Sequence, residues 1–236
     1  MHGLSASLDE ARALAAALEA RPPPARVAIC PPATLVSRMA EALAGLPILI
    51  GGQDCRPEPA GAFTGDISAE MLIDAGASLV ILGHSERRAG HGESDGLVAA
   101  KVKGALRAGL EPIVCVGEGL DQRRAGAAVA IVEAQLRGSL PVELAGARFA
   151  IAYEPVWAIG SGLVPELDEI EAVHGAIRDE LVALFGEAGA TAPILYGGSV
   201  KPSNAKAILS VKNVGGALVG GASLIAAEFA RIIEAI

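Results

Sequence analysis

Aromatic side chains are scarce in this sequence: one tryptophan, two tyrosines and four phenylalanines among 236 residues. Its core therefore has to be aliphatic, and alanine, leucine, valine and isoleucine dominate. Basic charge is also short. Nineteen Lys and Arg against 27 Asp and Glu leave a formal net charge of −8, which argues against a nucleic-acid partner or an anionic membrane surface. An anionic substrate would have to be held by local donors against that field. The three cysteines, Cys30, Cys55 and Cys115, are odd in number, lie on or beside apolar runs and show no metal-ligand spacing. They are expected as buried free thiols in a reducing compartment. The amino terminus has no basic-then-apolar leader and no apolar run approaches a membrane span, so a cytoplasmic location is expected.

What is present is an alternation. Strand-like apolar runs are expected at Arg26–Cys30, Pro47–Gly51, Ser78–Leu82, Pro112–Val116, Ala147–Ile151, Pro193–Tyr196 and Ala217–Val219. Helices are expected at Ser5–Ala20, with Ser5 or Ser7 as cap, at Ala33–Ala44, from Ser68, and at Ser94–Ala108. Four more follow at Leu120–Gly138, Leu167–Phe185, Ser203–Leu209 and Ala222–Ile236. Apolar strands between amphipathic helices mean a parallel sheet with helical cover. With no linker, repeat or low-complexity tract, one domain over residues 1–236 is expected.

Eight helices against seven strands, with a helix first, fits a closed (β/α)8 barrel poorly unless its opening strand is missing. An open doubly wound sheet of seven strands is the competing architecture. It would gather polar motifs at one or two switch points, whereas here they recur at the ends of many strands. The expected fold is therefore α/β, a (β/α)8 TIM barrel without its first strand.

Glu154 stands at the tip of the fifth run, in Ala152-Tyr153-Glu154-Pro155-Val156-Trp157-Ala158-Ile159-Gly160-Ser161-Gly162. A carboxylate followed by a stiff entry and a glycine-bearing segment suggests a base beneath a moving lid. In Gly83-His84-Ser85-Glu86-Arg87-Arg88 a histidine follows a buried strand, just before a helical turn. The positive helix end would lower its pKa and keep it neutral. Glu86 and Arg87 read either as a surface ion pair or as buried support. Tyr196-Gly197-Gly198-Ser199 and Val219-Gly220-Gly221-Ala222 end the last two strands in paired glycines, whose N–H groups can approach an oxyanion closely.

Together with Gly61-Ala62-Phe63-Thr64-Gly65 and Pro112-Ile113-Val114-Cys115-Val116-Gly117-Glu118, these motifs resemble the triosephosphate isomerases over nearly the whole chain. The resemblance implies interconversion of dihydroxyacetone phosphate and glyceraldehyde 3-phosphate, in glycolysis and gluconeogenesis, without metal or cofactor. It implies Glu154 as base, His84 as neutral electrophile, and Glu86 and Cys115 as support. Gly160, Ser199, Gly220 and Gly221 would hold the phosphate, and Pro155 to Pro165 would form the closing lid. It further implies a homodimer in which Phe63 and Thr64, at the tip of Gly61–Gly65, insert beside the partner's active site.

One family element is not found. A strand ending in Asn-x-Lys should precede Met1, and none of Lys101, Lys103, Lys201, Lys206 or Lys212 takes that lysine's place. On this basis the chain is expected to be poorly stable and nearly inactive, with an internal methionine standing as its start. The alternative is a non-catalytic dimeric barrel of the same descent.

Overall fold

The computed structural model describes residues 2–160 and 163–236. Seven short strands are found: β1 (Ala28–Ile29), β2 (Leu49–Gly52), β3 (Leu79–Leu82), β4 (Glu111–Val116), β5 (Ala150–Tyr153), β6 (Ile194–Tyr196) and β7 (Gly216–Ala217). Each pairs in parallel with the next, in sequence order. Parallel neighbours need a crossover, and helices supply it. These are α1 (Ser7–Ala20), α2 (Val36–Ala42), α3 (Ala69–Asp74), α4 (Ser85–His91), α5 (Asp95–Ala108) and α6 (Leu120–Arg124). The chain continues with α7 (Ala128–Ser139), α8 (Leu167–Phe185), α9 (Glu187–Thr191), α10 (Ala205–Leu209) and α11 (Ala226–Ile233).

The sheet curls. Leu79, Ile81, Ile113, Cys115, Ala150 and Ala152 form one inner cluster, joined by Ala28, Cys30 and Leu49 towards one edge and by Leu195 and Leu218 towards the other. All seven strand regions can share one cluster only if the sheet wraps around it. The larger core lies outside, between the strands' other faces and the helices. Among the described residues β7 and β1 do not pair with each other, so both are edges. Both are only half-buried, whereas β3 is buried throughout. The helical layer does close there: Glu10 of α1 accepts the Ala226 N–H of α11 at 2.7 Å, and Arg21 pairs with Glu234 at 2.9 Å. Cys30, expected to be buried, is half-exposed because it follows an edge strand; Cys55 and Cys115 are buried free thiols.

The helix expectations hold best where a local stop signal is strong. Leu167–Phe185 is one helix, and Ser94 caps α5 by accepting from Leu97 N–H. Ser5 and Ser7 do not cap α1. Ala6 is its N-cap, while Ser5 meets Arg38 and Ser7 accepts from Leu4 N–H. Leu120–Gly138 is two helices rather than one, broken at Gly126, whose φ of 69° cannot continue a right-handed helix. The second and last expected helices each begin with a 3-10 turn, Ala33–Leu35 and Gly221–Leu224. No helix among the described residues is long and apolar enough to cross a membrane.

One buried histidine links an outer helix to the sheet. His174 of α8 is fully buried, and its Nδ1 lies 3.3 Å from the Asn213 carbonyl oxygen, which can only accept. Nδ1 therefore carries the proton. Nε2 has no partner among the described residues, and burial pushes the pKa down to about 4. His174 thus stays neutral in the fold while an unfolded chain binds a proton near pH 6.5. Its contribution is complete above pH 6.5 and is lost as the pH falls towards 4, by about 3 kcal/mol in all. Urea unfolding of His174→Gln across that range should show a shallower loss of stability than the parent.

Candidate active site

Parallel strands in sequence order put all their carboxyl ends on one side, and the polar motifs follow from there. Glu154 comes directly after β5. Its N–H donates to the Val116 carbonyl at 2.8 Å, and Gly197 N–H donates to the Tyr153 carbonyl at 2.7 Å, which ties it between the strands on either side. A Cβ on Gly117 would overlap the Glu154 carbonyl oxygen, so only glycine permits this approach. The Glu154 residue is 1% exposed. A carboxylate so far from water needs several donors. Ser85 provides two, its N–H to Oε2 and its hydroxyl to Oε1, each at 2.9 Å. His84 provides the third, with Nε2 3.0 Å from Oε1.

His84 reaches this position because Gly83, at φ 68°, turns the chain out of β3 and into α4. The histidine is the N-cap of α4, and its Nδ1 accepts the Glu86 N–H at 3.3 Å. Arg88 braces the turn, donating to the Gly83 and Cys115 carbonyls and to Ser139, and pairing with Asp95. Burial pushes the imidazole pKa down, but the hydrogen bond and charge of Glu154 push it up further, so the balance is upward. The depression expected from the helix end alone is outweighed, because the sequence did not show that the carboxylate would be a direct neighbour. Geometry still favours a neutral ring in one tautomer. A protonated Nδ1 could not accept from Glu86, so the proton sits on Nε2, facing Glu154.

The other expected site residues divide. Cys115 is fully buried on β4, and its thiol pKa is raised, first by burial and then by the Glu154 charge and hydrogen bond. It belongs to the Glu154 surroundings. Glu86 does not: its carboxylate is exposed and has no hydrogen bond or ion pair with any described residue. Its backbone N–H donates to His84, and its charge adds a smaller upward push on the His84 pKa. The Glu86–Arg87 ion pair is not formed either, since Arg87 reaches Asp54 and Glu93 instead, beside buried Lys101. Ser199 follows β6, and its hydroxyl donates to the Ala158 carbonyl at 3.4 Å. Gly220 and Gly221 open the 3-10 turn after β7, exposed, with free space where side chains would be. Gly160 is exposed at φ 68°. Ser161 and Gly162 of the expected lid lie outside the described residues. Phe63 is covered within the chain, with the Arg56 guanidinium 3.8 Å from its ring centre, while Thr64 is exposed.

Two residues of the site were not foreseen as such. Ser85 sits between two named residues of its motif, and its signal was a hydroxyl at the first helical position. Glu118 is fully buried, and its Oε1 accepts Tyr153 OH at 3.1 Å and Trp157 Nε1–H at 2.8 Å. A cavity of about 390 Å³ lies behind Glu154, between Ser85, Arg88, Gln122 and Gln135. Among the described residues no group of three or more His, Cys, Asp or Glu could hold a metal ion.

A parallel sheet curled in sequence order, with a buried carboxylate and a histidine meeting at its carboxyl ends, is the architecture of the α/β-barrel enzymes. The family model described as triosephosphate isomerase matches residues 2–236. The chain is 61% identical over 236 residues to the triosephosphate isomerase of Caulobacter vibrioides, covering 100% of this chain and 93% of that one. It is 55% identical over 237 residues to that of Ruegeria pomeroyi, covering 100% and 94%. The crystal structure of triosephosphate isomerase from Bartonella henselae superposes with a TM-score of 0.92 at 47% identity, covering 100% of this chain and 94% of that one. The chain belongs to the triosephosphate isomerase family, and isomerase activity is what that close relationship assigns to it. Near inactivity, expected from the unassigned lysine, finds no support in these comparisons.

The pairing predicts a measurable coupling. Glu154→Gln removes the charge that raises the His84 pKa, so that pKa should fall in the variant while Ser85 still donates to the amide oxygen. Titration of the imidazole by NMR would read it, and an unchanged or higher value would contradict the contact.

Proposed function

We propose that Glu154 and His84 carry the interconversion of dihydroxyacetone phosphate and D-glyceraldehyde 3-phosphate in this chain, as a step of glycolysis and gluconeogenesis. The observation behind this is the 3.0 Å approach of His84 Nε2 to a fully buried Glu154 carboxylate. Glu154 takes the proton from the carbon beside the carbonyl, and the electron pair becomes the enediolate double bond. Negative charge then grows on the carbonyl oxygen, where the Nε2–H of His84 donates. The hydroxyl proton passes to the former carbonyl oxygen, and the same carboxyl returns its own proton to the adjacent carbon, which leaves the new carbonyl where the hydroxyl was. In the substrate-free arrangement Nε2–H points at Glu154 itself. A substrate carbonyl entering there replaces the carboxylate as acceptor and removes the main influence raising the His84 pKa, leaving the helix end that favours the neutral ring.

Ser85 has a part in the same exchange. Its two donors hold the Glu154 carboxylate parked, and they are released when it turns to the substrate. Gly160, Ser199, Gly220 and Gly221 offer N–H groups to the phosphate, without a metal or cofactor. The segment from Pro155 to Pro165 closes over the enediolate and keeps water from it. The buried donors on Glu154 favour catalysis over a purely structural barrel, which would have no reason to hold a carboxylate there.

A homodimer is part of the reading. Arg56 lies over the Phe63 ring and is itself fixed by Glu58 and Asp66, so the Gly61–Gly65 tip is shaped before any partner meets it. A cytoplasmic location fits a chain with free thiols at all three cysteines.

Glu154→Gln should lower kcat by about a thousandfold or more, with a smaller change in KM, and should abolish exchange of substrate carbon-bound hydrogen with deuterated water. An isomerase rate within about tenfold of the parent would reject Glu154 as base. Thr64→Arg should shift the sedimentation profile from dimer towards monomer; a parent that sediments as a monomer would reject the dimer.

A further inference from the structure

Arg123 has no role in the chemistry described, yet it stands where the two ends of the lid segment come together. It lies in α6, on the loop that follows β4. Its guanidinium forms a close ion pair with Glu169, in the first turn of α8, immediately after the lid. The same guanidinium lies 5.6 Å from the centre of the Trp157 ring, just after the lid begins. Its Nη1 is 4.0 Å from Glu118 Oε1, the atom that holds the Trp157 indole N–H.

Glu118 makes this arrangement matter. The carboxylate is wholly buried, both of its hydrogen bonds fall on Oε1, and Oε2 has no partner among the described residues. A buried carboxylate with one oxygen unpaired depends on a neighbouring cation. Arg123 is the cation that reaches it, and its side chain is only 21% exposed. The entry to the lid therefore rests on Glu118, Glu118 on Arg123, and Arg123 on Glu169 in the first turn of the helix after the lid.

We propose that Arg123 is a positioning residue for the lid, a clamp that ties Trp157 at its beginning to Glu169 at its end so that both anchors respond together. This rests on reading Pro155 to Pro165 as a lid. Arginine suits the role because a planar guanidinium can present an edge to one carboxylate and a face to a ring at once, which a lysine ammonium cannot. Glu169 is fitted to it in turn: its other oxygen accepts the Glu166 N–H at 2.9 Å, so the carboxylate is already aimed by the helix it caps.

Trp157 is the only tryptophan, so its fluorescence reports this point alone. Acrylamide quenching of Trp157, its emission change on adding glycerol 3-phosphate, and kcat and KM should be measured for the parent, Arg123→Met, Arg123→Lys and Glu169→Gln. The glutamine keeps the acceptor for Glu166 and removes only the charge. Arg123→Met should raise the quenching constant and lower kcat/KM by about fivefold each, the lysine variant recovering part of both. Glu169→Gln, though at the far end of the lid, should raise Trp157 quenching as well, and the double variant should be little worse than Arg123→Met alone. Quenching and emission response at parental values in both single variants would overturn the clamp. Indifference of the parental emission to glycerol 3-phosphate would instead overturn the lid reading, and this proposal with it.

Discussion

A single buried carboxylate sets the terms for the whole site. Glu154 is cut off from water, and a charge in that position is tolerated only if donors surround it. Each donor comes from a different part of the motif after β3: a backbone N–H and a hydroxyl from Ser85, an imidazole from His84. The strand ends must therefore stay in register to within a hydrogen bond's tolerance. Gly117, Gly197 and the turn at Gly83 are shaped by that demand, and Arg88 holds the turn in place. The sheet exists to keep β3, β4, β5 and β6 side by side at their carboxyl ends, with an aliphatic interior beneath.

Reactivity and restraint come from the same contacts. The donors that stabilise the Glu154 carboxylate also fix its direction, and under the proposed mechanism a substrate has to compete with them. His84 is subject to two opposed influences, burial that favours the neutral ring and a carboxylate that favours the charged one. The Glu86 N–H on Nδ1 leaves the proton of the neutral ring on Nε2, pointing at Glu154. The strand edges at β1 and β7 lie away from this pair, and the first and last helices pack together over them.

Some of this was legible residue by residue. Apolar runs bounded by glycine and proline located the strands, because a strand buried on both faces leaves a continuous hydrophobic signature. The pattern located the helices Leu167–Phe185 and Ser94–Ala108, while the cap at Ser94 came from the structure. Other boundaries were misread where a glycine in an otherwise helical pattern decided the matter, as at Gly126, since tolerance and interruption look the same in one dimension. The exposure of Glu86 and the pairing of Arg87 with Glu93 and Asp54 were beyond reach, because partners distant in sequence leave no local trace.

The sequence by itself determined the alternation of strand and helix, the aliphatic core and the identity of Glu154 and His84 as groups at strand ends, because these depend on local pattern and residue chemistry. Tertiary structure alone decided that the two would meet at 3.0 Å, that Ser85 would hold the carboxylate, that Phe63 would lie beneath Arg56, and that Arg123 would touch both flanks of one loop. The physical reason is that distance between side chains on separate strands is set by how the sheet curls, and curling is a property of all seven strands at once.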